Sequence, residues 1–193
     1  LPTPQERLDL YDTARALFLA DNYDEIGIDH FSTKEDGLSV ALREGTLRRN
    51  FQGYTDDTAD VLIGVGASSI SRFPQGYAQN NPATSAHTAA IRDAKFSTKR
   101  GHAFRGQDKL RSRLIEALMC DFRIVSKDII ETFGISEKQM QNLYRPVMEQ
   151  FPDTLTLTDD GLFVPVAARP LTRMIARAFD AYDMDQSGHS SAI

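Results

Sequence analysis

Two short segments hold the residues best suited to bind a ligand. Arg49-Asn-Phe-Gln-Gly-Tyr54 places an aromatic face, an amide that can both donate and accept, and a turn-making glycine in one loop. Gly64-Val-Gly-Ala-Ser-Ser-Ile70 closes an apolar run with glycines that would let a ligand reach the backbone, although tight strand–helix packing asks for the same residues. The histidines His30, His87, His102 and His189 share no metal-ligand spacing. His30 reads as a rim or core residue, and Asp29 beside it should point to the opposite face of a strand. Cys120, on the apolar side of a helical pattern, reads as a small buried hydrophobe. A single cysteine excludes a disulfide framework, a zinc ribbon or an iron–sulfur cluster built from this chain alone. Asp183, Asp185, Ser187 and Gly188 match the opening of a calcium loop, but its terminal carboxylate would fall beyond Ile193, so no calcium site is expected. No catalytic residue and no metal ligand is assigned.

These segments need elements to position them. Thr3, Pro4 and Glu6 form a capping-box signature, and Leu10, Ala14, Leu17 and Phe18 recur at helical spacing, so a helix with one buried face is expected. Ile26, Ile28 and His30 then alternate as one face of a strand. A short helix, about Asp36 to Glu44, should stop at Gly45. The continuous apolar run Val61 to Ala67 suits a strand buried on both faces. Residues 71–82 read as loop, Thr84 to Phe96 as helix, and the two glycines of 99–107 as a linker between domains.

Beyond the linker the pattern turns helical. Leu110, Leu114, Ile115, Leu118 and Met119 form one stripe, residues 127–133 a second helix, and Ser136 with Gln139 opens a third. Thr154 to Thr158 alternates, Asp160-Gly161 makes a hairpin turn, and Leu162 to Val166 returns as an edge strand. A last helix carries Leu171, Met174, Ile175, Ala178 and Tyr182. Three helices, a hairpin and a helix is the order of a winged helix. The third helix offers Lys138 and Arg145 against Glu137 and Glu149, and the net charge is −5, so no phosphate-binding face is expected. No run approaches the roughly 18 apolar residues of a membrane span. The chain opens with Leu-Pro rather than Met and reads as a piece of something longer.

Ile26-Gly-Ile-Asp-His-Phe31, Arg49-Asn-Phe-Gln-Gly-Tyr-Thr55, Gly64-Val-Gly-Ala-Ser-Ser-Ile-Ser71 and Tyr77-Ala-Gln-Asn80 occur in that order. Together they resemble the oxygen-independent coproporphyrinogen III oxidases, radical-SAM enzymes of haem biosynthesis. The Asn-Phe-Gln-Gly-Tyr segment sets that family apart from haem-chaperone-like proteins. The resemblance runs from about residue 1 to residue 185 and covers only the family's C-terminal part.

The resemblance implies an upstream barrel-like α/β domain that holds a four-iron–four-sulfur cluster through a CxxxCxxC-type motif. It implies splitting of S-adenosylmethionine to a 5′-deoxyadenosyl radical, which abstracts hydrogen from a propionate that then loses carbon dioxide. Two propionates of coproporphyrinogen III become vinyls in this way, with a second S-adenosylmethionine beside the first. By motif position, Phe51, Gln52 and Ile70 correspond to contacts of that second molecule. The fold class that follows is an α/β segment, the closing elements of a radical-SAM barrel (1–98), then a linker (99–107). A mostly α, winged-helix-like domain (108–185) over the substrate opening and a tail (186–193) complete it. The family further implies an electron donor for the cluster, a monomer when full length, a cytoplasmic location, and neither nucleic-acid nor membrane partners. The cysteine motif is absent here, so this chain alone is expected to be inactive. The alternative is a free-standing winged-helix interaction module.

Overall fold

The structure, a computed structural model, describes residues 2–182. Helix α1 (Pro4–Ala20) begins as its capping box dictates: the Thr3 hydroxyl accepts from the Glu6 N–H, and the Thr3 N–H donates to the Glu6 carboxylate at 2.7 Å. Its apolar stripe is not buried, contrary to the periodicity; no residue of α1 is. The helix meets the body through Phe18, stacked on the Phe31 ring with centroids 4.7 Å apart, and through a polar edge. Arg15 donates twice to Glu25, both at 2.9 Å, and the Tyr11 hydroxyl donates to the Ile28 carbonyl at 3.1 Å. Leu10 and Leu17 remain more than half exposed.

Strands β1 (Asp24–Ile26) and β2 (His30–Ser32) form a hairpin, with Ile26 opposite His30. The expected single strand through Ile28 is broken because Gly27 turns the chain at φ +57°. Helix α2 (Gly37–Glu44) runs from an Asp36 cap to Gly45 in the left-handed conformation, as its end signals require. A tight hairpin follows, β3 (Arg48–Arg49) and β4 (Tyr54–Thr55).

The middle of the chain departs most from its pattern. Val61 to Ala67 forms no strand; it bridges once, Leu62 to Arg72, and Val65 is 89% exposed. An apolar run is buried on two faces only when neighbouring strands flank it, and among the described residues none does. The segment expected as loop is the hairpin β5 (Ile70–Phe73) and β6 (Gly76–Asn80), with Pro74 and Gln75 as its turn. Helix α3 (Thr84–Arg92) ends earlier than its pattern, at Asp93, and leaves Phe96 97% exposed. The stretch read as a linker holds β7 (Thr98–Ala103), which completes a three-stranded antiparallel sheet on β6. Its polar side chains hid it; pairing to β6 needs only backbone groups.

Helix α4 (Asp108–Asp121) leads into β8 (Arg123–Val125), a strand the sequence did not announce, where Phe122 reverses the chain at φ +55°. Helices α5 (Ser126–Phe133) and α6 (Glu137–Gln150) come next, the second opened by the Ser136–Gln139 capping box. Strands β9 (Thr156–Thr158) and β10 (Gly161–Phe163) turn at Asp160-Gly161 and pair in the order β8-β10-β9. The last helical stripe is shortened. A 3-10 turn (Val166–Leu171) containing Pro170 precedes α7 (Thr172–Arg177), which buries Ile175 but leaves Met174 exposed. The core joins Leu114, Leu118, Ile124, Val147, Leu162 and Phe179.

The fold is mixed α/β without a closed barrel, in two compact units. One gathers residues 2–56 with 110–182, and the other is Asp57–Lys109. The second unit buries only Gly76 and Ser97, and so has no apolar core of its own. Among the described residues no helix is long and apolar enough to cross a membrane. The calcium-like residues Asp183, Asp185, Ser187 and Gly188 lie outside the described residues, as does the tail 186–193.

Glu25 gives the first unit an acid dependence. Hydrogen bonds from Arg15 hold its carboxyl below the ordinary range, against desolvation that raises it. A lowered folded-state value stabilises above the unfolded value of about 4.3, and that stability is lost as pH falls through the folded value. Thermal melts from about pH 6 to about pH 3 should show E25Q less stable than wild type at the upper end. The gap should close toward the lower end, and a gap independent of pH would remove Glu25 from this role.

Candidate functional site

The hairpin between β3 and β4 presents Phe51 and Gln52 at its tip. Asn50 builds it from both sides: its N–H donates to the Gly53 carbonyl at 2.9 Å, and its Oδ1 accepts from the Gln52 N–H at 2.8 Å. Gly53, at φ +142°, closes a turn that a side chain would strain. Both tip residues are thereby pushed outward, and Phe51 is 55% exposed. The Gln52 side-chain amide has no partner among the described residues, so its donor and its acceptor are both open.

Tyr54 fixes the hairpin to the body. Its buried hydroxyl accepts from the Ile28 N–H at 3.0 Å and donates to the Met119 carbonyl at 2.8 Å. Gly27 makes room, since a Cβ there would overlap the Tyr54 ring. The Arg49 guanidinium lies 4.5 Å from the ring centroid, with its Nη1 buried and without a hydrogen-bond partner. The ring face is what receives that charge. Burial pushes the Tyr54 phenol above its ordinary value, partly opposed by the Ile28 N–H. Cys120, in the same small core as Ile26 and Leu47, is pushed up to about 12 by desolvation and is no nucleophile.

The structure overturns the separation of Asp29 from His30. Their side chains are hydrogen-bonded, Nδ1 to Oδ1 at 2.8 Å, because Asp29 stands in the turn before β2 and does not obey strand alternation. The other carboxylate oxygen takes Arg173 of α7 at 2.6 Å. No local pattern announces this contact, which spans 144 positions.

Ile70 belongs to the other unit, where it opens β5, half-buried, opposite Gln79. The glycine-bearing segment before it curls back on this strand. The Gly64 N–H donates to Ser71 Oγ at 3.0 Å, and a Cβ on Gly64 would stand 2.8 Å from the Ile70 carbonyl oxygen. The Asn80 amide holds the loop from inside, donating to the carbonyls of Gly64 at 3.3 Å and Gly66 at 3.0 Å. Asn80 therefore has a structural task that its place in a motif did not reveal. Among the described residues, no group of three or more His, Cys, Asp or Glu is arranged to hold a metal ion.

The fold of the chain has a solved counterpart in part of a radical SAM enzyme. The chain superposes on it with a TM-score of 0.85 at 32% identity, covering 94% of this chain and 42% of that one. That structure is the coproporphyrinogen III oxidase (HemN) of Escherichia coli. Among curated proteins, the oxygen-independent coproporphyrinogen III oxidase of Paracoccus denitrificans is 60% identical over 193 residues, all of this chain and 43% of the relative. The protein of the same name from Cereibacter sphaeroides is 50% identical over 183 residues, 95% of this chain and 41% of the relative. No protein-family model matches. The chain thus spans less than half the length of the curated relatives it matches, and corresponds to their C-terminal part. The resemblance read from the four motifs stands.

The anchoring of the hairpin can be tested at Tyr54. In Y54F the ring remains, but the Ile28 N–H and the Met119 carbonyl lose their buried partner. Leaving such groups unpaired costs about 1–3 kcal/mol each at most, so chemical denaturation should show a loss of that order. Unchanged stability would show that the bridge is dispensable.

Proposed function

We propose that this chain is the C-terminal portion of an oxygen-independent coproporphyrinogen III oxidase. In this reading it supplies part of a second S-adenosylmethionine site, through Phe51, Gln52 and Ile70, and a domain that covers the substrate opening. The observation that carries the reading is the 60% identity along the whole chain, joined to the outward presentation of Phe51 and Gln52 at an anchored hairpin. The residues suit the molecule. An exposed aromatic ring can stack on adenine, and an unpartnered amide can hydrogen-bond its edge or the amino-acid stem. Ile70 offers aliphatic contact.

S-adenosylmethionine, with the four-iron–four-sulfur cluster upstream, supplies the hydrogen-abstracting chemistry that turns two propionates of coproporphyrinogen III into vinyls with loss of carbon dioxide. The residues of this chain bind and orient; none holds the cluster. The cluster, when bound upstream, would draw on an electron donor, and the whole protein works as a cytoplasmic monomer.

Residues 1–98 act in this proposal as closing elements of the barrel domain. Three exposed features support it: Leu10 and Leu17 of α1, the run 61–67 with a single bridge to β5, and a middle unit with no core. Apolar surfaces of this kind are stable when another layer covers them. The part from 108 onward acts as a winged-helix-like domain. The order α4, β8, α5, α6, β9, β10 and the three-stranded sheet support that description.

Two experiments test the proposal. In the full-length protein, Q52A or I70A should cripple porphyrinogen conversion while leaving cluster content intact. The lost hydrogen bond at Gln52 costs ~0.5–1.5 kcal/mol, and displacement of a reacting group can cost about a hundredfold more in rate. Wild-type turnover in a normally melting Q52A enzyme would remove Gln52 from the site. The second uses the 193-residue chain alone. Iron–sulfide reconstitution should yield no cluster chromophore, because its one cysteine is buried and cannot replace three thiolates. Stoichiometric iron with a cluster spectrum would overturn that assignment.

A further inference from the structure

We propose that His30 is a ligand-facing member of the Phe51–Gln52 site, its Nε2 accepting a hydrogen bond from an N–H or O–H group of the molecule bound there. The inference rests on the reading of that hairpin as a binding site.

The Asp29 carboxylate faces His30 Nδ1 at 2.8 Å, and a carboxylate can only accept, so Nδ1 carries the proton. In the uncharged ring that leaves the Nε2 lone pair as an acceptor. Arg173 occupies the other Asp29 oxygen at 2.6 Å and fixes the carboxylate from behind. The Tyr54 ring, perpendicular to the imidazole with centroids 5.0 Å apart, fixes the ring from the side.

Held this way, the ring tip lies against the hairpin. A Cβ on Gly53 would stand 3.1 Å from Nε2, and Gly53 is the residue next to Gln52. His30 is 41% exposed along its side chain, and its Nε2 has no hydrogen-bond partner among the described residues. An imidazole with one nitrogen locked and the other open, against the hairpin whose tip carries an exposed amide and an exposed aromatic ring, is built to orient something. Two molecules of the proposed reaction carry suitable donors: ribose hydroxyls and the α-ammonium of S-adenosylmethionine, and the pyrrole N–H groups of the porphyrinogen.

The test uses the full-length, cluster-loaded protein under anaerobic conditions, with H30F, H30Q and Q52A. H30F keeps a ring against Tyr54 and deletes the acceptor; H30Q returns an acceptor oxygen. Calorimetric titration should show H30F binding one of the two molecules about three- to tenfold more weakly, with H30Q recovering most of the loss. A loss confined to the second S-adenosylmethionine assigns the contact to the nucleoside, and a loss confined to porphyrinogen assigns it to the pyrroles. Nitrogen-15 NMR of the free protein should find the proton of the uncharged His30 ring on Nδ1. Wild-type affinities for both molecules in H30F beside weakened binding in Q52A would overturn the inference and spare the site. Wild-type affinities in Q52A as well would overturn the site reading itself, and a proton found on Nε2 would overturn the acceptor role directly.

Discussion

The Tyr54 hydroxyl accepts the Ile28 N–H and donates to the Met119 carbonyl, and three segments of chain are located by that one oxygen. The turn after β1, the Phe51–Gln52 hairpin and the C-terminal half of α4 also share a small core of Ile26, Ala41, Leu47 and Cys120, and Arg48 of β3 pairs with Glu116 of α4 at 3.8 Å. A core of that size leaves angular freedom between elements, whereas a two-sided buried hydrogen bond does not. Gly27 is a condition of the arrangement, because any side chain there would occupy the volume of the ring. The presentation of Phe51 and Gln52 is thus set by residues packed behind the hairpin.

Around this centre the first unit is laced by ion pairs rather than by apolar contact alone. Glu25, with only 14% of its side chain exposed, receives Arg15 in bidentate geometry and has Arg169 at 3.9 Å. Arg169 in turn lies 4.1 Å from the Phe122 ring centroid. Such a pair adds little if both members are replaced by well-packed apolar groups, but removing one strands the other in a poorly solvated site. The pairs at Glu25 and Asp29 both join the N-terminal elements to the segment just before or within α7. They fix register as much as they stabilise.

What the sequence disclosed was whatever local chemistry controls. The capping boxes at Thr3 and Ser136, the left-handed glycine at 45, and the Asp160-Gly161 turn are satisfied by neighbours a few residues away, and each is where it was read. The α1 stripe and the run 61–67 misled because apolar spacing states a demand for burial, not which surface meets it. Strand β7 was hidden because its side chains are polar and its pairing is a backbone matter. Of the proposed site, Phe51 and Gln52 were singled out by the density of useful groups in one loop. Tyr54 was visible there as an aromatic residue but not as an anchor, and the Asp29–His30–Arg173 chain depends on a turn geometry and a helix far along the chain. Asn80 is the intermediate case, noticed within a motif while its loop-holding amide bonds were not.

The first unit is discontinuous, and synthesis on the ribosome gives that fact a time. Tyr54 and Met119 are 65 residues apart. At about 5–20 residues per second, roughly 3–13 s pass between the addition of one and the other. Throughout that interval Ile26, Leu47 and the Tyr54 ring lack the α4 residue Cys120 that completes their cluster, while the segment Asp57–Lys109 emerges between them. The nascent chain must therefore hold a half-formed apolar surface beside exposed strand edges for seconds. That is the condition under which a chain is prone to aggregate and chaperones are of use.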